Sequence, residues 1–419
     1  MGPPINTSPG LIFSSLLGGD GTDYPRAIHR GNTGNLYIAG QTDSTDLPTT
    51  TEAINQTNQG GYDLFLTIMN PNATKLVYST YIGGSSDDKL WDFQFDNDGN
   101  IILTGETSST NFPVTIDAAN TTLSGESDAF LLKLGPEGTS IRYSTFIGGV
   151  YPDVAYSVAV DGDNDCYVAG YTKSVDFPTT VGAFNRSLGG EYDGFVTKVN
   201  TSTGALEYST YIGGEDETTS LFDFEHISDI AVSSKGAVFA TGLTRSYDFP
   251  TTPNAFDTVS NRYAGTAFAL KLSPDGGSLG YSTFLQSPRD GGSRGYSLVL
   301  VDDKYALVGG TTSLKDYPVT FGAYNGSDNS GSGKDDIFIT KLDEDGRFLE
   351  FSGLIGGRDD ERVHDIVVDD SSNIIITGFT KSDDQPLTEC CYSDSLLGYD
   401  DAILIKFDPN LTSLLYSTY

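Results

Sequence analysis

The heptapeptide Tyr78-Ser-Thr-Tyr-Ile-Gly-Gly84 recurs along this chain and decides its fold. An identical copy runs from Tyr208 to Gly214, and a copy with Phe at the fourth position runs from Tyr143 to Gly149. Successive copies start 65 to 73 residues apart; looser copies begin at Phe13, Tyr281 and Phe351, and a truncated copy occupies Tyr416–Tyr419. A regular period of this size predicts a repeat architecture, in which each unit buries its apolar faces against its neighbours.

Each repeat contains four short runs with the composition of β-strands. In the third repeat these runs are Tyr156–Val160, Asp165–Thr172, Tyr192–Val199 and Leu206–Ile212, with turn residues between them. No window has a helical period. Six units of this kind predict an all-β fold, a six-bladed β-propeller of four-stranded antiparallel blades, because radial repetition leaves only short sheet edges. We expect an N-terminal extension over residues 1–10 and a single propeller domain over residues 11–419.

The two ends of the repeat array are unequal. Counting the looser copies at Phe13 and Phe351, the Tyr-Ser-Thr strand occurs seven times, whereas the other landmarks occur six times. One terminal copy is therefore expected to complete the last blade and so close the ring. The other copy, either Leu11–Gly19 or Leu414–Tyr419, is surplus, and a surplus strand could support self-assembly of the chain.

The charge balance excludes several classes of partner. The sequence has 57 acidic and 24 basic residues, a formal net charge of -33. Such a field repels phosphate backbones and anionic lipid headgroups, so we expect neither nucleic acid nor a membrane surface as a partner. No segment approaches the ~18 apolar residues of a membrane-spanning helix. The first residues lack the basic and apolar regions of a signal peptide, so the chain is either cytoplasmic or a mature piece of a longer exported protein.

Taken together, the recurring motifs resemble the SBBP-type β-propeller repeat. The resemblance rests on Tyr-Ser-Thr-Tyr-Ile-Gly-Gly, the Gly-x-Thr of the second strand, Asp-Phe-Pro-Thr-Thr at 176–180 and Tyr-Asp-x-Phe-Val at 192–196, and it covers residues 11–419. It implies an extracellular or cell-surface location in bacteria or archaea and a binding or structural role, often beside adhesion domains. It supplies no catalytic residues. Eight Asn-x-Ser/Thr acceptor sites agree with a secreted glycoprotein.

A recurring Asp stands immediately before the third strand. It is Asp63, Asp128, Asp193, Asp336 and Asp401, with Thr266 at the equivalent position of the fourth repeat. A residue needed once in every blade is expected to serve blade architecture, by accepting backbone N–H groups of the preceding loop. Two acidic turns, at Asp96–Gly99 and Asp161–Asp165, resemble half of an EF-hand loop, but they lack its helices and its bidentate Glu and are better explained as hairpin turns.

Residues that differ from blade to blade are the better candidates for function. Aligning the first strands places Arg26, Trp91, Tyr156, Tyr296 and His364 in one column, with Ser228 in the fourth repeat. Such a polar and aromatic set at the mouth of the channel could bind a ligand. Blade packing is the alternative explanation for the rings.

The next column carries carboxylates in alternate blades, namely Asp92, Asp229 and Asp365. Three carboxylates converging near the channel would raise one another's pKa unless a cation intervened, and an all-oxygen site suits Ca²⁺. In a wide, water-filled channel the same groups would instead stay solvated. A Ca²⁺ site is therefore one of two open alternatives.

These observations predict a non-catalytic module at the cell surface that binds protein or glycan. No nucleophile elbow or Cys–His pair accompanies the three histidines, so we do not expect an enzyme. The first alternative is a propeller hydrolase or lyase acting on polysaccharide or peptide, which would need unmatched Asp, His and Tyr residues in one pocket. The second alternative is a subunit of a surface layer or filament.

Overall fold

The computed structural model describes residues 13–215, 225–260, 265–286, 292–313, 316–324 and 334–419. These residues form 24 β-strands and contain no helix long and apolar enough to cross a membrane. The strands of the first three sheets are β1 (Asp23–Arg30), β2 (Leu36–Thr42), β3 (Asp63–Met69), β4 (Leu76–Ile82), β5 (Asp88–Phe95), β6 (Ile101–Thr107), β7 (Asp128–Leu134), β8 (Ile141–Ile147), β9 (Asp153–Val160), β10 (Cys166–Thr172), β11 (Asp193–Asn200) and β12 (Ala205–Ile212). Those of the last three are β13 (His226–Val232), β14 (Val238–Thr244), β15 (Thr266–Leu272), β16 (Leu279–Leu285), β17 (Ser293–Val301), β18 (Tyr305–Thr312), β19 (Asp336–Leu342), β20 (Leu349–Ile355), β21 (Glu361–Val368), β22 (Ile374–Thr380), β23 (Asp401–Phe407) and β24 (Leu414–Thr418).

Every sheet consists of four consecutive strands paired antiparallel in chain order. Six such sheets make a six-bladed β-propeller, which confirms the predicted fold. The last sheet is completed by β24, so the C-terminal copy of the Tyr-Ser-Thr run is an ordinary fourth strand. In the N-terminal copy, residues 13–19 belong to no strand, whereas residues 1–12, including the predicted extension, lie outside the described residues.

The blades fall into two compact units of three. The first unit comprises Phe13–Ile212 together with Asp275–Gly277, and its strands are β1 to β12. The second comprises Gly213–Pro274 and Ser278–Tyr419, and its strands are β13 to β24. We describe each unit by itself. The assignment of residues 11–419 to a single domain stays a prediction.

The first tyrosine of the heptapeptide ties the first blade to a turn of the second. The Tyr78 hydroxyl donates to the carbonyl oxygen of Gly138, 2.9 Å away in the β7–β8 turn. Gly138 has a φ of 75°, and a Cβ there would lie 2.8 Å from Leu66 and 2.9 Å from Tyr78. Glycine is required at that turn for two reasons, the left-handed backbone and the close approach of the preceding blade.

The remaining polar positions of the heptapeptide bond within their own blade. Ser79 and Thr67 share a hydrogen bond of 2.9 Å between β4 and β3. The hydroxyl of Thr80 accepts a hydrogen bond of 3.1 Å from the N–H of Asn55. The hydroxyl of Tyr81 donates to the carbonyl oxygen of Ser44 at 3.0 Å. The threonine contact recurs at Thr145, Thr210, Thr283 and Thr418, so this buried hydroxyl finds the same kind of partner in five of the six blades.

The Gly-Gly pair that ends the heptapeptide lies against buried carboxylates. The N–H of Gly84 donates to Asp88 Oδ2 at 2.7 Å, and Ser109 and Thr107 donate to the same carboxylate. The preceding residue, Gly83, has no room for a Cβ, which would clash with Asp88 and with Asp63, the first residue of the third strand. Two carboxylates from adjacent blades therefore meet at one glycine.

The recurring Asp of the third strand accepts backbone N–H groups, as predicted. Asp63 Oδ2 receives the N–H of Gln59 at 2.7 Å, and Asp128, Asp193 and Asp401 receive equivalent bonds from the loops before them. Asp63 Oδ1 is buried and has no hydrogen-bond partner. Burial, together with the charge of Asp88, raises the pKa of Asp63 to about 7, and burial raises the pKa of Asp88 to about 6.

The junction between the fourth and fifth blades replaces this arrangement as a whole. Thr266 and Ser293 stand where the other blades have carboxylates, and Gln286 stands where they have the first glycine. The Thr266 hydroxyl donates to Gln286 Oε1 at 3.0 Å, and the Ser293 hydroxyl donates to the carbonyl of Leu285 at 2.7 Å. This junction therefore lacks both the two carboxylates and the glycine between them. The joint replacement supports the view that the glycine is required because the carboxylates lie against it.

The raised pKa of Asp63 predicts a pH-dependent stability. A carboxyl group whose pKa is higher in the folded state binds protons more tightly when folded, so its contribution is complete below about pH 4 and is lost as the pH rises through about 7. Asp63→Asn should therefore stabilise the protein at about pH 8, by roughly 2–4 kcal/mol, and change little at about pH 4. Thermal unfolding at both pH values measures the difference. The exposed Asp163→Asn is the control, and an equal effect of Asp63→Asn at both pH values would contradict the prediction.

Candidate ligand-binding face

The first strand of every blade contains a β-bulge at the same position. In the first blade Pro25 pairs with Gly40 and Ala27 with Ala39, so Arg26 is the extra, unpaired residue. The other five bulges fall at Trp91, Tyr156, Ser228, Tyr296 and His364. A bulge redirects the side chain of its extra residue. The predicted ligand column is therefore the bulge column, and the structure brings its three members in the first unit together. In the second unit Tyr296 instead contacts two arginines, and the His364 ring lies 5.9 Å from the Phe379 ring.

In the first unit the bulge residues begin a continuous row of rings. The guanidinium of Arg26 lies 4.3 Å from the centre of the Trp91 ring, and Trp91 contacts Tyr156 edge-on at 5.0 Å. The row continues from Tyr156 to Tyr171 at 5.7 Å and from Tyr171 to Tyr192 at 5.6 Å. These side chains are partly buried except Arg26, which is exposed. They form an aromatic surface with a cation at one end.

In the second unit one bulge residue lies between two arginines. The Tyr296 ring has the guanidinium of Arg362 at 4.2 Å and that of Arg294 at 4.9 Å. Arg294 comes two residues before the bulge of its strand, and Arg362 occupies the same position of the next first strand. We call Arg294, Tyr296 and Arg362 the arginine–tyrosine cluster.

A buried histidine extends this cluster. Nη2 of Arg294 lies 2.9 Å from Nε2 of His226, which is almost completely buried. Burial lowers the pKa of His226 well below its ordinary value, and the positive charge of Arg294 lowers it further. The imidazole is therefore neutral, and its Nε2 accepts a hydrogen bond from Nη2 of Arg294.

The three arginines that lie against the rings of this face have no acidic partners among the described residues. Within the described ranges, neither Arg26, Arg294 nor Arg362 forms an ion pair with a carboxylate. The Nε atoms of Arg294 and Arg362 are also buried without a hydrogen-bond partner. In a chain with a net charge of -33, unpaired and partly buried guanidinium groups indicate a site for an anion.

The alternate carboxylates connect neighbouring blades. Asp92 Oδ2 accepts the N–H of Val158 at 2.9 Å, and Asp229 Oδ2 accepts the N–H of Leu298 at 2.7 Å. Asp365 Oδ1 accepts the hydroxyl of Ser297 at 3.1 Å. Among the residues that the structure describes, no three Asp, Glu, His or Cys side chains are grouped closely enough to hold a metal ion. The Ca²⁺ site stays a prediction, and the observed contacts give these carboxylates a structural role.

Each of the two acidic turns is bound by a lysine ammonium group from the third strand of its blade. Lys198 Nζ lies 2.9 Å from Asp165 and 3.3 Å from Asp161, and Lys133 Nζ lies 2.8 Å from Asp96. Asp161 Oδ1 also accepts the N–H groups of Asp163 and Asp165, as a hairpin turn requires. The turns are therefore neutralised from within the chain, which agrees with the preferred explanation.

Sequence reasoning missed the arginine–tyrosine cluster and His226. It compared the bulge column alone, whereas Arg294 and Arg362 stand two positions earlier. The available signal was a basic residue at that earlier position in two consecutive repeats. His226 occupies the same position of the fourth repeat, two residues before the bulge at Ser228, so the alignment of repeats held a signal for its contact with Arg294 as well.

Comparisons with known proteins support the fold. No family model matches the sequence. The regulatory protein FlaEY of Caulobacter vibrioides is 30% identical over 142 residues, which cover 33% of this chain and 13% of that protein. The ulvan lyase of polysaccharide lyase family PL25, bound to -[GlcA(1-4)Rha3S]-, has a TM-score of 0.52 and 10% identity over 96% of this chain and 85% of its own. The WD40 domain of Neurospora crassa Pan2 has a TM-score of 0.40 and 11% identity over 84% and 86%. The likeness to the ulvan lyase extends over nearly the whole chain and concerns the fold alone.

The contact of Asp92 with the next blade can be tested directly. Asp92→Ala leaves the buried N–H of Val158 without its acceptor, so we expect a loss of about 1–3 kcal/mol of unfolding free energy. Asp163→Ala, in an exposed turn, is the control.

The Ca²⁺ prediction has a separate test. If the metal binds, a chelator should lower the melting temperature of the native chain and added Ca²⁺ should restore it. Replacing Asp92, Asp229 and Asp365 by Ser should abolish that response. A melting temperature indifferent to chelator would exclude the metal.

Proposed function

We propose that this protein is a non-catalytic binding module that holds an anionic glycan at the cell surface. The arginine–tyrosine cluster carries the proposal. Two guanidinium groups flank one ring, and neither has a carboxylate partner among the described residues. Such groups favour oxyanions, since guanidinium bonds two oxygens of a carboxylate or sulfate through two parallel N–H groups.

The net charge of the chain limits what kind of anion can bind. A charge of -33 repels a polyanion at long range, so attraction must come from contacts at the cluster itself. At about 0.1 M salt the screening length is about 10 Å, which weakens the repulsion while direct contacts persist. A ligand with spaced carboxylates on neutral rings therefore fits better than a densely charged polymer. A glycan containing uronic acid has this chemistry.

The row of rings in the first unit suits the rest of such a ligand. Trp91, Tyr156, Tyr171 and Tyr192 offer ring faces and edges with polar tips, a composition typical of sites with one apolar and one wet side. Lys173 lies 4.0 Å from the Tyr192 ring and adds a cation at the far end of the row from Arg26. Sugar rings present apolar faces and polar edges of matching kind.

Binding of oligogalacturonate measured by calorimetry tests the proposal. We expect binding by the native chain and a loss of about tenfold or more for each of Arg294→Gln and Arg362→Gln, because each removes a charge-assisted contact. Arg358→Gln is the matched control, since this exposed arginine of the sixth blade pairs with Asp384 at 2.9 Å. A neutral oligoglucan of the same length should bind at least tenfold more weakly. Equal binding of both sugars, or no effect of either arginine, would contradict the proposal.

A lyase acting on the same kind of glycan is the second candidate. The neutral His226 beside Arg294 favours it, because β-elimination needs a base and a cation that neutralises the uronate carboxylate. The burial of His226 weighs against it, since the imidazole has almost no exposed surface. Incubation with polygalacturonate decides the matter: appearance of an unsaturated, ultraviolet-absorbing product that His226→Gln abolishes would replace the non-catalytic proposal.

A further inference from the structure

The arginines of the arginine–tyrosine cluster occupy a position that the second blade fills with an ion pair. There Lys89 stands two residues before the bulge of β5, and Glu106 is its partner across the β5–β6 strand pair. Lys89 Nζ lies 3.2 Å from Glu106 Oε1, so the cation is neutralised within its own blade. An acid at the opposite position of the second strand is therefore sufficient to compensate a cation in this register.

The fifth and sixth blades have the cation without the acid. Arg294 is opposite Thr311 across β17–β18, and Arg362 is opposite Phe379 across β21–β22. Neither of these partners carries a charge. Burial raises the pKa of Asp335 and the charge of Arg362 lowers it, yet among the described residues the two groups form no ion pair. The cluster therefore presents two positive charges that its own strands leave uncompensated.

The hydrogen-bond acceptor of Arg294 in this cluster is neutral as well. Nη2 of Arg294 donates to Nε2 of His226 at 2.9 Å, and the imidazole must accept because arginine has only donors. A carboxylate could accept the same bond, but it would also cancel the charge, as in the ion pair of Arg358 with Asp384. His226 thus holds Arg294 in position and leaves its positive charge available to a ligand.

The Tyr296 ring separates the two charges. The guanidinium carbons of Arg294 and Arg362 lie 4.9 Å and 4.2 Å from the ring centre, and the sum of these distances limits their separation to 9.1 Å. One guanidinium group can bind both oxygens of one carboxylate through two parallel N–H groups. Each arginine can therefore take a carboxylate of its own, provided that the two carboxylates belong to neighbouring units of the ligand.

We infer that the arginine–tyrosine cluster binds two carboxylates from successive residues of one glycan, one at each arginine. The inference rests on the proposed glycan-binding function and specifies its ligand as a segment with two consecutive uronic acid residues. A segment with a single carboxylate would leave one partly buried guanidinium group without a counter-charge, which lowers the affinity. The neutral partners Thr311, Phe379 and His226 set this requirement, because an acid at any of these positions would supply one of the two charges from within the chain.

Digalacturonate and its monomethyl ester test the inference, because they have the same length and differ by one carboxylate. We expect calorimetry to show about tenfold or more tighter binding of the diacid to the native chain. With Arg362→Gln the two ligands should bind within about threefold of each other, whereas the exposed control Arg358→Gln should keep the native ratio. If digalacturonate binds too weakly for direct titration, its competition with a longer oligogalacturonate gives the same ratio.

The outcomes separate this inference from the proposed function. Equal binding of the diacid and the monoester to the native chain would overturn the inference, while binding of the longer oligogalacturonate would leave the proposed function in place. No binding of the longer oligogalacturonate would overturn both.

Phe379→Glu tests the role of the neutral surroundings. It places an acid opposite Arg362 in the register that Glu106 has with Lys89. The affinity for digalacturonate should fall about tenfold or more, and the preference over the monoester should disappear. Phe379→Gln is the matched control, since it removes the same ring without adding a charge, and it should keep the preference.

Thermal unfolding shows whether the Phe379→Glu chain is folded. If it is not, His226→Glu neutralises Arg294 instead and repeats the test at the other arginine. An undiminished preference for the diacid in the folded variant would overturn the inference.

Discussion

A carboxylate at the start of five of the six blades, bound by the N–H of the preceding glycine, is the constraint on which most of the blade junctions depend. The contact is made by Asp23, Asp88, Asp153, Glu225 and Glu361 with Gly19, Gly84, Gly149, Gly214 and Gly357. It fixes where one blade ends and the next begins, and it holds the Thr and Ser side chains of the second strand in place. The residue before the donating glycine is itself a glycine in these blades. In several of them it lies against two carboxylates, which leave no room for a Cβ.

This junction has an electrostatic cost that the rest of the chain reflects. Two carboxylates buried side by side cannot both remain ionised without a large penalty, so burial raises the pKa of Asp153 to about 7, as it does that of Asp63. The fourth-to-fifth junction avoids the penalty with Thr266, Gln286 and Ser293. The same architecture can therefore be built with neutral groups, and the acidic version couples stability to pH.

The few basic residues of the chain are distributed by function. Lysines such as Lys133 and Lys198 neutralise acidic turns, and the ammonium group of Lys198 also lies 5.2 Å from the centre of the Tyr167 ring. Arg294 and Arg362 instead lie on Tyr296, where a ring stabilises the cations without neutralising them. This difference is the physical reason for placing the proposed ligand at the arginines.

Sequence by itself determined the repeat length, the strand count, the six blades and the structural role of Asp63 and its equivalents. These follow from local pattern, because period, turn residues and alternation belong to short stretches of chain. It also aligned Arg26, Trp91, Tyr156, Tyr296 and His364, since equivalent positions in repeats occupy equivalent places. Tertiary structure alone decided that this column is a bulge, that Asp92 bonds to the next blade, and that His226, Arg294, Tyr296 and Arg362 meet. Those contacts join residues about one repeat apart, so no local pattern could contain them.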